Sequence, residues 1–468
     1  MNRLVNLKLN SLTRLNLLKA SPFNNVLTRT YSEKIDIEKE VNSKEAKAKR
    51  LQRKKTEKTN VISTTSFKHL SLNKVDHSDV PQLCFGLDRA LFNPGITFLQ
   101  DPHSGVYNFS PYLENIVQPD EKLIEYAKKH KLTYTGTTSS VTGLLSHLYF
   151  IVSGWKKPTL NTFSPDFTKM RGDYSRTLTT PTTVKLKLND GIYHIDSDKS
   201  FDSGPNILSQ LGHIMERMLT QTPAELSRYL KENEKLYPGP IAEPDSYQYS
   251  ATSKIAFRAQ LDCSDPRLPR KIFDLKTRST LPIRLDKHFY KEYLGYELNK
   301  QFGVMESFER EYFDMIRNAF LKYSFQVRIG KMDGIMVAYH NTAKIFGFQY
   351  ISLEEMDSKL FENSVMGNQV FTVTVRLLEK ILDRITGDFP GKEVMITFKT
   401  KNKSLMMDVF VEVIESKAED GSETDALSFV SPQSTLVKYQ VTAHSLINGK
   451  KIEGPVSLDS NGKDNMSK

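Results

Sequence analysis

The chain has 468 residues, with 65 Lys and Arg against 55 Asp and Glu, a formal charge of +10 and 38% hydrophobic residues. That apolar content supports a large core, and it excludes a collagen, a disulfide scaffold or a wholly disordered chain. Two cysteines, Cys84 and Cys263, cannot furnish a four-ligand zinc site, and no apolar run reaches the length of a membrane span.

The charge is unevenly placed. Residues 1–60 hold 15 bases and 6 acids, which leaves 50 bases and 49 acids for the rest. The body is nearly neutral, so the overall charge is weak evidence for nucleic acid. Residues 1–32 carry five bases (Arg3, Lys8, Arg14, Lys19, Arg29) and no acid, and Leu4, Leu7, Leu15 and Leu18 share one helical face. This predicts a basic amphipathic helix, the form of a mitochondrial transit peptide, with Arg29-Thr30-Tyr31-Ser32 as its processing site. Residues 33–79 read as a basic disordered linker, and folded sequence starts near Val80.

Residues 80–203 form an N-terminal extension. In it, the hydroxyl cluster Thr137-Thr138-Ser139-Ser140 precedes an apolar helix and suits a cap, with a phosphate grip as the other use of such a cluster. A hairpin follows over 183–196, turning at Asn189-Asp190-Gly191. The central part, 204–351, begins with a helix over 205–219 and strands over 250–261 and 271–277. Helices are then predicted over 287–302 and 305–323, and paired strands over 325–350 that turn near Asp333-Gly334 and again near Asn341. Residues 352–452 read as a C-terminal α+β extension: helix in parts of 353–385, a strand pair over 392–414 and a last pair over 435–447. Residues 453–468 are a polar, disordered tail. No G-x-x-x-x-G-K-[ST] loop occurs, which argues against an ATP-driven motor.

The chemistry concentrates in 258–278. An apolar strand delivers Leu261-Asp262, and a second strand delivers Asp274-Leu275-Lys276-Thr277. Asp274 and Lys276, two apart, point to one face, while Leu275 points into the core. Two carboxylates suit Mg²⁺, a cation that prefers oxygen ligands and keeps several waters. A lysine beside them can orient water or offset charge on phosphoryl oxygens. A third acid comes from the helix: His213 and Glu216 lie at i, i+3 on one face. Between 254 and 291 there are ten bases and four acids, and Arg258, Arg278 and Arg284 are the candidates for gripping phosphate.

Glu216 on a helix, then Asp262, then Asp274-Leu275-Lys276-Thr277, resembles the PD-(D/E)XK nuclease superfamily in its RecB-like form. The resemblance implies an α/β fold: a restriction-endonuclease-like core, with a mixed central sheet flanked by helices and N- and C-terminal extensions. It implies Asp262, Asp274 and Glu216 as metal ligands for Mg²⁺, with Mn²⁺ as a substitute, and Lys276 and Glu216 as catalytic groups. His213, Thr277, Arg278 and Arg258 would meet substrate, joined by Tyr323 and Gln326, which stand in reverse of the superfamily's usual order. The wider sequence, including Thr137-Thr138-Ser139-Ser140, Tyr193-His194-Ile195-Asp196-Ser197-Asp198 and Gln326-Val327-Arg328-Ile329-Gly330-Lys331-Met332-Asp333-Gly334, resembles a fungal mitochondrial family of membrane-associated proteins that process RNA 5′ ends. That implies a metal-dependent 5′-to-3′ exoribonuclease of the mitochondrial matrix or the matrix face of the inner membrane, acting in RNA maturation and turnover. Its partners would be mitochondrial RNA, the mitochondrial RNA polymerase or the RNA degradation machinery, with peripheral membrane contact and no ATP. The alternatives are a catalytically weak RNA-binding adaptor and a single-stranded DNA exonuclease.

Overall fold

The computed structural model describes residues 121–198, 207–229, 246–266, 269–414 and 435–447, with a few short strands and isolated positions outside them. The body begins with α1 (Glu121–Lys129), β1 (Tyr134–Thr137), α2 (Thr138–Ser153) and the hairpin β2 (Thr182–Asn189) and β3 (Ile192–Ser197). Next come α3 (Ile207–Thr220), the hairpin β4 (Ser246–Ala251) and β5 (Ile255–Leu261), the short β6 (Cys263–Ser264), β7 (Ile272–Ser279) and α4 (Leu281–Leu285). Then follow α5 (Phe308–Asn318), α6 (Phe320–Gly330), β8 (Gly334–His340), β9 (Ile345–Ser352), α7 (Leu353–Leu360) and α8 (Ser364–Asp388). Strands β10 (Val394–Thr400), β11 (Met406–Val413) and β12 (Leu436–Ile447) complete the labelled elements.

The fold is mixed α/β. The larger sheet runs β12-β11-β10-β2-β3-β1-β5-β4, and β1 is parallel to both β3 and β5. The smaller sheet runs β9-β8-β7-β6, with β7 parallel to β8. Segments on either side of the central part therefore share one sheet with it. Helix α2 is buried from Ser140 to Val152, as a helix apolar on all faces must be. It packs against α6, α8 and the larger sheet. Its start is fixed by Thr137, whose side chain accepts from Ser140 N while Ser140 Oγ accepts from Thr137 N. The β2–β3 turn places Asp190 and Gly191 at φ of 50° and 79°, as a two-residue hairpin turn of this hand requires.

Several expected elements differ. The leader helix is replaced over Leu4–Leu12 by a strand antiparallel to β12 and to Asn60–Ser63; Asn6-Leu7-Lys8-Leu9-Asn10 alternates polar and apolar, which suits a strand. The rest of the leader, the expected start near Val80, and the acidic stretch 415–425, which reads as a loop, lie outside the described residues. The expected linker and tail contain short strands, Asn60–Ser63, Leu70–Ser71, Ser457–Leu458 and Asp464–Asn465. The single strand expected over 250–261 is the end of β4, a turn and β5, and the last strand pair is β12 with Lys450–Ile452. The helix expected over 287–302 is absent except for one 3₁₀ turn, Tyr290–Tyr293. The Asn341 amide binds the carbonyls of Leu294 and Tyr296 at 2.7 and 3.4 Å, satisfying that backbone without a helix. The helix expected over 305–323 is two, broken at Ala319. The largest difference is that Phe325–Gly330 is helical, inside α6, so Asp333-Gly334 joins a helix to β8 rather than turning a hairpin. Phe325, Val327 and Ile329 alternate like a strand, but α6 is buried against α2 on one side and β5 on another, which erases helical periodicity.

Candidate active site

The site forms where the chain passes from the larger sheet to the smaller one. Along β5, Phe257, Ala259 and Leu261 enter the core, while Arg258, Gln260 and the following Asp262 line a cleft. Immediately afterwards β6 pairs with the start of β7, Cys263 opposite Phe273. At this step Asp262 Oδ2 accepts the Leu275 N–H at 2.9 Å. Asp274 and Lys276 face the cleft from β7, and Leu275 lies in an apolar cluster with Leu211 and Met215 of α3. Glu216 of α3 also lines the cleft.

Helix α6 closes one wall. Gln326 Nε2 donates to Asp274 Oδ1 at 2.8 Å, and the Tyr323 ring centre lies 5.5 Å from Lys276 Nζ. The Lys276 ammonium pairs with the other Asp274 oxygen. Across the cleft, Arg258 stacks on Tyr247 at 4.6 Å, and Thr137, Thr138 and Ser139 line the wall at the start of α2.

Two carboxylates, Asp274 and Asp262, therefore flank one ammonium, and a third, Glu216, lines the same cleft. Burial, then the charges of Asp274 and Glu216, push the Asp262 carboxyl well above its usual range, outweighing Lys276. Burial works against the Lys276 charge, but Asp274 and Asp262 outweigh it and raise its pKa, so it remains an ammonium at neutral pH. Among the described residues, no three His, Cys, Asp or Glu side chains form a ready-made metal cluster. The fit is instead to two neighbouring carboxylates, Asp262 and Asp274, with a third facing them and room for water. That donor set of hard oxygens with excess negative charge is the kind Mg²⁺ takes.

The structure thus brings Glu216, Asp262, Asp274, Lys276, Arg258 and Gln326 to one cleft, with Tyr323 beside Lys276. It places His213 on α3 but not among the lining residues. Thr277 turns toward Gly212 of α3. Arg278 is buried in an ion pair with Glu311 at 3.1 Å, and Arg284 joins the same cluster rather than the cleft. Asp333 is held by Arg270 at 3.3 Å and by Tyr350, away from the cleft. Gln260 and Tyr247 escape a reading of the sequence. Gln260 has a signal in the Arg258-x-Gln260-x-Asp262 alternation, whereas Tyr247 arrives by strand pairing, opposite Gln260.

A family model described as mitochondrial protein Pet127 matches residues 115–383. The chain belongs to the Pet127 family. It is 33% identical over 422 residues to the mRNA degradation protein pet127, mitochondrial, of Schizosaccharomyces pombe, covering 83% of this chain and 80% of that one. It is 38% identical over 314 residues to the putative mitochondrial translation system component PET127 of Saccharomyces cerevisiae, covering 59% of this chain but only 37% of that longer relative. The family is thus mitochondrial, as the resemblance implied. Among solved structures, Scheffersomyces stipitis Rai1 in complex with (3′-NADP)+ and calcium ion is 12% identical with a TM-score of 0.36, covering 82% of this chain and 93% of that one. Candida albicans Rai1 in complex with pU5-Mn²⁺ is 12% identical with a TM-score of 0.37, covering 75% and 89%. No helix among the described residues is long and apolar enough to cross a membrane.

Proposed function

We propose that this Pet127 family member is a divalent-metal-dependent nuclease that hydrolyses mitochondrial RNA from the 5′ end. The observation that carries the reading is the meeting of Glu216, Asp262, Asp274 and Lys276, from three separate chain segments, in one cleft. RNA as substrate is supported by the names of the two relatives, one an mRNA degradation protein and the other a translation system component. The 5′ polarity rests on the family resemblance.

Asp262 and Asp274 would hold Mg²⁺ or Mn²⁺, with Glu216 ordering a water beside them. A bound cation would polarise the phosphate and ease deprotonation of water. Lys276 offsets charge on the phosphoryl oxygens, where a pre-placed cation is most effective in a water-poor site. Gln326 fixes the Asp274 carboxylate through its hydrogen bond. Leu275 N–H does the same for Asp262. Arg258, braced on Tyr247, grips a backbone phosphate.

The test uses the full chain with RNA labelled at the 5′ or the 3′ end, in Mg²⁺ or in EDTA. Cleavage in Mg²⁺ that starts at the 5′ end, stops in EDTA and is lost in Asp274→Asn and Lys276→Ala supports the reading. Variants that degrade RNA as fast as wild type would show it to be wrong. Competition by single-stranded DNA decides between nucleic acids.

A further inference from the structure

The charged row on β7 continues beyond the cleft. Asp274, Lys276 and Arg278 alternate on one face, which sets Arg278 about 13 Å from Asp274 along the strand. There Arg278 shares Glu311 with Arg284, and Asp314 links Arg284 to two further guanidiniums. Arg278 donates to Glu311 at 3.1 Å, and Arg284 bridges Glu311 and Asp314, the latter at 3.4 Å. Arg310 and Arg317 also donate to Asp314, at 3.0 and 3.4 Å. Four guanidiniums share two carboxylates, so two positive charges are left over. Asp173, the other acid near Arg317, is already paired with Lys157 at 3.0 Å.

Arg278 is only 6% exposed, and its Nη2 is buried without a hydrogen-bond partner. An unsatisfied buried donor is costly, and more so when it carries charge. Burial and the charge of Arg278 also press the Arg284 pKa down to about 10 despite its two acids. The cluster is open at one side, since Arg284, Arg310 and Arg317 remain 15–17% exposed. Past Arg284 the chain carries Phe289, 58% exposed, flanked in sequence by Lys287 and Lys291. Planar guanidiniums are matched to phosphate, and an exposed ring is a platform for a base.

We propose that this arginine cluster is a second phosphate site for the RNA strand, reached as the strand runs along β7 from the cleft, with Phe289 stacking a base beyond it. This rests on the nuclease reading of the cleft. It assigns the body of a single-stranded substrate, several nucleotides from the bond that is cut, to residues that touch none of the reacting atoms.

The experiment compares a dinucleotide with a decanucleotide RNA on the full chain. Affinity is measured in EDTA across a salt series, cleavage in Mg²⁺, and melting with and without inorganic phosphate, for wild type, Arg284→Gln, Arg317→Gln and Arg317→Lys. The expected result is about tenfold weaker decanucleotide binding in the Gln variants and a salt slope shallower by about one for each positive charge removed. Dinucleotide cleavage stays at the wild-type rate. Decanucleotide affinity and slope unchanged in variants that melt like wild type overturn the proposal, as does an equal loss at both lengths, which signals a purely structural cluster. Should the Gln variants fail to fold, Arg317→Lys and wild-type melting decide: weakened decanucleotide binding and stabilisation by phosphate support the site, and the absence of both overturns it. Stabilisation by phosphate without any length effect assigns the cluster to a free anion and overturns the RNA assignment. If wild type cleaves neither RNA, the nuclease reading has failed; if it cleaves both alike and the variants match it, only this proposal has.

Discussion

Gln326 tests how the cleft is held together. Its amide gives Asp274 Oδ1 a hydrogen bond at 2.8 Å, Asp274 is 1% exposed, and its other oxygen faces Lys276. Gln326→Leu keeps a side chain of similar bulk and suits a helix, but it removes the donor that α6 supplies to Asp274. Hydrogen bonds to charged groups contribute about 1.5–3 kcal/mol, so a loss of about 2 kcal/mol is expected in urea unfolding of the full chain in EDTA. Misplacing a ligating carboxylate typically costs about 10- to 100-fold in metal affinity or activity, so the RNA cleavage rate at limiting Mg²⁺ should fall in that range. Gln326→Glu adds a carboxylate beside Asp274, with Asp262 and Glu216 nearby. It should destabilise the metal-free protein further and recover in part with Mg²⁺. A Gln326→Leu protein with the wild-type urea midpoint, slope and cleavage rate would refute the reasoning, because the bond would then hold nothing.

The Arg328–Asp357 pair, joined at 2.8 and 2.7 Å in a buried setting, anchors α6. A methyl on Gly367 would collide with Arg328 Nη2 and come 2.8 Å from Asp357 Oδ1. Gly367→Ala should cost about 3–5 kcal/mol, the usual cost of breaking a buried pair, and calorimetry should show the loss. His147 and His340 are buried and neutral, lowered from 6.5 to about 4 and about 3, chiefly by burial. The unfolded chain therefore binds more protons below pH 6.5, so their contribution is complete above 6.5 and is lost as pH falls toward 4 and 3. For His147 the loss is about 3 kcal/mol, and His147→Gln should flatten the pH dependence of Tm between those values. Thr137→Ala removes the α2 cap and should cost about 1 kcal/mol in urea unfolding. Arg258→Ala should weaken RNA binding and reduce the salt slope by about one, as fluorescence titration would show.

The candidate site is largely legible because its signal is local. Asp274 and Lys276 share a strand face by the geometry of the strand alone, and the apolar run before Asp262 marks a strand end. The Asn189-Asp190-Gly191 turn is readable for the same reason, since it needs only residues that accept positive φ. That Arg278 lies outside the cleft is not legible in the sequence, because i+2 alternation fixes a side chain's face but not its partner. Its partner, Glu311, comes from a helix more than thirty residues away. Gln326 reads as a strand residue because a helix buried on two sides and a strand can show the same apolar alternation.

By itself, the sequence determined which groups are available for chemistry and how they are spaced on each element, since backbone period is a local property. Tertiary structure decided which groups meet. It brought α6 against β7 so that Gln326 serves Asp274, and it gave Arg278 to Glu311 instead of the cleft. The physical reason is that a buried charge must find a partner wherever packing supplies one, and packing joins residues that no sequence window contains.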